Sequence, residues 1–117
     1  MKLSVSKNLI GLAVVGLGAT TFSVASLAAV NADAAAALAK KSGCLMCHAV
    51  DKDKSASSFQ KIAAKWKGNA DAEAKLVETV TKAPKVKQKD GSDLEHKAIT
   101  GADAGEIKNI VGWILAQ

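Results

Sequence analysis

The run Cys44-Leu45-Met46-Cys47-His48 constrains this chain more than any other stretch, because it sets two thiols and an imidazole within five residues. These are the only cysteines present, so a disulfide scaffold is excluded. Beyond residue 28 the aromatic side chains are Phe59, Trp66 and Trp113 alone. A domain of this size builds a thin core and ordinarily leans on a metal or cofactor for added bulk. Whatever Cys44, Cys47 and His48 bind is therefore expected to be part of the fold.

The first residues read as a segment removed before the protein works. Lys2 and Lys7 give a positive start, an apolar Gly- and Ala-rich run follows, and Ser26 and Ala28 offer small residues ahead of a cleavage point. Residues 1–28 are expected to be a cleaved signal peptide and residues 29–117 the functional domain; a cut near Ala32 is an alternative, and a retained membrane anchor is the competing reading of the run. Export would place the mature chain, as a soluble protein, in the periplasm. Lys2 and Lys7 account for two of the net +5 charges, which leaves an excess of about +3. With no Arg, and no cations interleaved with stacking aromatics, nucleic acid is not an expected partner.

The rest divides into helical pieces, and no stretch alternates as a strand does. Residues 32–42 are Ala-rich, with Asp33 early, Lys40 and Lys41 late, and Gly43 as a stop. Residues 58–67 put Phe59, Ile62, Ala63 and Trp66 on one face before Gly68. Residues 70–82 gather Leu76, Val77 and Val80, and Pro84 prevents continuation. A last helix carries Ile107, Ile110, Val111, Ile114 and Leu115, with Thr100 and Asp103 as its expected capping pair. Between the third and last helices, residues 83–99 form a polar loop long enough to suggest a function. The fold class is all-α.

Three chemistries compete for the Cys-x-x-Cys-His run. A redox dithiol of the thioredoxin kind belongs beside a βαβ unit, which this pattern lacks. A structural zinc ion needs four ligands; Cys44, Cys47, His48 and His96 total four, but the adjacency of Cys47 and His48 is poor for one tetrahedral ion. Covalent haem fits without strain: each thiol adds to one vinyl group, and His48 turns under the ring to bind iron. The export signal agrees, because this attachment is made outside the bacterial cytoplasm.

The chain from about residue 33 onward resembles the small bacterial monohaem class I cytochromes c. "KKSGCLMCHAVDK" is similar to that family's haem-binding run, "FQKIAAKWKGNADAEAKLVETV" to its second and third helices, and "EIKNIVGWILAQ" to its C-terminal helix. The resemblance implies three to four helices wrapped around one covalently attached haem c, with Cys44 and Cys47 as the attachment points and His48 as an axial ligand. It also implies one-electron transport rather than enzymatic catalysis, with redox proteins as partners, including docking at membrane redox complexes. The loop lysines Lys85, Lys87 and Lys89 would steer acidic partners or simply be solvated.

Two departures from the family pattern stand out. Where the family has Gly-Pro after the haem histidine, this chain has Ala56-Ser57, and a backbone carbonyl there would still have to accept a hydrogen bond from His48. The family's axial methionine, from the loop before the last helix, has no counterpart: Met1 lies in the signal segment and Met46 inside the attachment run. His96 falls close to the vacant place and is expected to be the second axial ligand, ahead of Lys97, Lys85, Lys87 and Lys89. Such a bis-histidine iron would have a lowered potential. The alternative is a gas-binding or sensing haem protein with an open or labile sixth position.

Overall fold

The computed structural model describes residues 29–117, so the signal-segment expectation lies outside the described residues. Four helices form: α1 (Ala32–Lys41), α2 (Phe59–Trp66), α3 (Ala72–Lys82) and α4 (Ala104–Leu115). The first three all pack on α4. The reason is visible in its sequence, which buries Ile107, Ile110, Val111 and Ile114. Against it α1 offers Ala35 and Ala39, both fully buried, whose short side chains let the two helix backbones approach closely. Phe59 from α2 and Leu76 and Val80 from α3 complete the core. None of the described helices is long and apolar enough to cross a membrane.

Helices α1, α2 and α4 begin where a side chain can satisfy a leading amide. Asn31 accepts from Ala34 N at 3.0 Å, and Ser58 accepts from Lys61 N at 3.2 Å. Asn31 and Asn109 exchange two further hydrogen bonds: Asn31 N donates to Asn109 Oδ1 at 2.8 Å, and Asn109 Nδ2 donates to Asn31 O at 2.9 Å. They fix the start of α1 to the middle of α4.

Two expectations require correction. The cap of α4 is Asp103 rather than Thr100: Asp103 accepts from Glu106 N while Glu106 accepts from Asp103 N, a reciprocal box. Gly101, at φ 72°, turns the chain between Thr100 and the helix, so Thr100 lies outside it. The second correction concerns residues 83–99, which are not structureless. Lys85–Lys87 (β1) pairs antiparallel with Asp93–Glu95 (β2), with Val86 opposite Leu94. Three residues per strand are too few for alternation to show in the sequence.

This hairpin leaves α3 through Ala83, which adopts a left-handed conformation at φ 49°. The chain then returns to the same helix end. His96 N donates to Pro84 O at 2.9 Å, and Ile99 N donates to Val80 O at 2.7 Å. A left-handed alanine costs about 1–2 kcal/mol, against about 0.5–1 kcal/mol of added unfolded-state freedom for glycine. Ala83→Gly is therefore expected to stabilise the protein by about 0.5 kcal/mol, read as a higher urea midpoint at unchanged slope.

Candidate haem site

Helix α1 is capped at its C-terminus by Ser42, and Gly43 follows at φ 77°. That backbone angle favours glycine; the nearest atom a Cβ would meet, Lys97 Nζ at 3.0 Å, ends a flexible side chain that can move aside. The chain then makes a single 3-10 turn, Cys44–Met46, closed by bonds from Cys47 N and His48 N to Cys44 O. Both thiols are half-buried and unbridged. Burial pushes the Cys44 thiol up, with Lys97 only partly opposing it. A thiol held protonated is the reverse of what a redox dithiol needs.

His48 is held from two sides. Its Nδ1 lies 2.6 Å from Ser57 O. A carbonyl can only accept, so Nδ1 carries the hydrogen and Nε2 keeps its lone pair. The carbonyl at Ala56-Ser57 thus serves as expected, without proline. The imidazole also stacks on buried Phe59, with ring centres 5.3 Å apart, and Phe59 in turn meets Trp113 edge-on at 5.5 Å.

His96 comes to the same place from the other end of the chain. Its ring centre lies 6.3 Å from that of His48, at an interplanar angle of 41°. Its Nδ1 is 2.9 Å from Lys97 O, so by the same reasoning Nε2 is the free nitrogen. Burial lowers its pKa, opposed by the hydrogen bond to Lys97 O and aided by a smaller repulsion from His48, which disfavours the protonated ring. Met46 is 75% exposed, as befits a residue on the attachment turn.

These residues fit a haem. A metal–imidazole bond of about 2 Å puts the ring centre about 3 Å from the metal, so two imidazoles on opposite sides span about 6 Å, whereas a tetrahedral angle would give about 5 Å. The observed 6.3 Å separation would leave room for His48 and His96 to hold a haem iron between them. The zinc reading fares worse: among the described residues no group of three or more His, Cys, Asp or Glu side chains comes together as a metal site.

Sequence reasoning passed over Asp53. Its backbone bridges that of His48, and its carboxylate accepts from Ser58 N at 2.8 Å, next to the Ser57 carbonyl that orients His48. Lys61 at 2.6 Å and Lys89 at 2.7 Å meet the same carboxylate. Together the Lys61 and Lys89 ammonium groups and the Ser58 amide hold its pKa well below the usual carboxylate range. Nothing in its spacing marks an acid that serves three segments, since the partners lie in α2 and the hairpin.

An attachment turn closing the first helix, a loop carbonyl behind the histidine, and a last helix crossing the first are the arrangement of a class I monohaem cytochrome. The cytochrome c family model matches residues 32–117, and the chain belongs to that family. It is accordingly a haem electron carrier rather than an enzyme, with one covalently attached haem c and redox partners. Among solved structures it is similar to the class 1 cytochrome MtoD from Sideroxydans lithotrophicus ES-1, at 50% identity and TM-score 0.72 over 75% of this chain and 97% of that one. Wild-type cytochrome c552 from Nitrosomonas europaea matches at 25% identity and TM-score 0.57, over 69% and 96%. No curated protein matches the chain.

Because Asp53 is depressed in the folded state, its stabilisation is fully present above its unfolded value near 3.8 and is lost as pH falls toward its lower folded value. Asp53→Asn is therefore expected to be less stable than the parent at pH 7, the gap closing as pH drops below 4. Urea midpoints measured at both ends of that range check the sign.

Proposed function

We propose that the mature chain, residues 29–117, is a periplasmic one-electron carrier with haem joined through Cys44 and Cys47 and its iron held by His48 and His96. Bound haem c supplies one-electron exchange between ferric and ferrous iron. The chain's own residues hold the ligand nitrogens and shield the metal from water. Ser57 O keeps the hydrogen of His48 on Nδ1, and Lys97 O does the same for His96, so both Nε2 atoms are available as donors. Phe59 restricts rotation of the His48 ring.

The observation that carries this reading is the 6.3 Å separation of two imidazoles whose Nδ1 atoms both face carbonyls. Exposed Met46 offers no thioether to compete with His96. Imidazole in place of methionine removes the ligand that raises the potential in cytochromes c. The midpoint potential is therefore expected below that of His/Met relatives, and His96→Met is expected to raise it.

The oxidised protein should give a low-spin bis-imidazole magnetic resonance spectrum at low temperature. His96→Ala should become high-spin when oxidised and should bind carbon monoxide rapidly when reduced, while the parent binds it slowly. A low-spin, unchanged spectrum in His96→Ala would overturn the ligand assignment. Rapid carbon monoxide binding by the parent would favour a gas-binding role with a labile sixth position.

A further inference from the structure

The hairpin that delivers His96 is anchored at its base by the bonds to Pro84 and Val80 described above. Its tip has a separate anchor. The turn between β1 and β2 closes through Gln88 N to Ser92 O at 2.9 Å and Gly91 N to Gln88 O at 3.0 Å, and Lys89 projects from it. Lys89 Nζ reaches Asp53, 2.7 Å away, on the loop behind His48. Among the described residues this is the one ion pair that joins the hairpin to that loop; the pair Lys87–Asp93 stays within the hairpin.

The geometry points to a latch: we infer that Asp53 and Lys89 are positioning residues that keep the His96 hairpin closed over the haem site. Asp53 can serve this purpose because its own place is set independently. Its Oδ1 holds Ser58 N, the residue after the one whose carbonyl orients His48, and its side chain is only 23% exposed. One carboxylate therefore touches the supports of both imidazoles: the loop behind His48 directly, and the His96 hairpin through Lys89. Opening the hairpin exchanges the Lys89–Asp53 contact for water and draws His96 away from His48. Lys61 shares the carboxylate but belongs to α2, whose position is fixed by buried Phe59 and Ala63, so its pairing has no hairpin to hold.

This inference rests on His96 being the sixth ligand, and the test separates the two. Holoprotein variants Lys89→Met, Lys61→Met, Lys89→Arg and His96→Ala are reduced and mixed with carbon monoxide, an uncharged probe that enters only when His96 leaves. Lys89→Met is expected to bind two- to fivefold faster than the parent, the range set by the worth of one partly exposed ion pair. Lys89→Arg is expected to restore the parent rate, and Lys61→Met to leave it unchanged. All three lysine variants should keep the parent's low-spin resonance, showing that the ligands themselves are retained. A parent rate in Lys89→Met, or an equal acceleration in Lys61→Met, overturns the latch while leaving the ligand assignment standing. A parent that already binds as fast as His96→Ala removes the ligand assignment, and the latch with it.

Discussion

The crossing of α1 over α4 is the contact on which the rest depends. Ala35 and Ala39 lie fully buried against a helix that contributes Ile110 and Val111. Larger residues on that stripe would push the helices apart, and interiors packed at crystal density have no slack to absorb the shift. Only Ser42 and Gly43 separate the end of α1 from the attachment turn, so the crossing sets where Cys44, Cys47 and His48 can stand. Helix α4 also receives α2 and α3, which bring Phe59 to the His48 ring and place the hairpin that carries His96.

In the proposed ligand set, where His96 stands in for the family's thioether, both imidazoles depend on backbone carbonyls. A neutral imidazole must be presented with its lone pair on the correct nitrogen, and a carbonyl at each Nδ1 does this without any added charge. Partial burial of His96 assists by disfavouring its protonated form. The attachment turn works differently: both thiols are half-buried and unbridged, and burial raises the pKa of the Cys44 thiol, which leaves it unsuited to redox exchange.

How much of this was legible in the sequence follows the range of the interactions involved. The four helices were readable because their apolar spacing and stop signals, Gly43, Gly68 and Pro84, act within a few residues. The need for a carbonyl near Ser57 was readable from the family resemblance, as was the nearness of His96 to the missing methionine. The hairpin was not, because strands of three residues carry no usable period. Thr100 looked like a cap because its spacing to Asp103 is that of a capping pair, but Gly101 at φ 72° turns the chain away and leaves the role to Asp103. Asp53 was invisible because its partners, Ser58, Lys61 and Lys89, are assembled by tertiary structure alone.

The paired amides of Asn31 and Asn109 bear on where the expected leader could be cut without loss to the fold. Asn31 caps α1 and is doubly bonded to α4, while Val30 packs so near Gly112 that a Cβ there would stand 3.1 Å from its Cγ2. A peptidase cutting after Ala32 would discard the cap, worth about 1 kcal/mol, together with both cross-links to α4. A cut after Ala28 leaves all of them in place. Were the leader removed as expected, a cut upstream of Val30 would keep this helix crossing intact and would leave the amino terminus beside the middle of the carboxy-terminal helix.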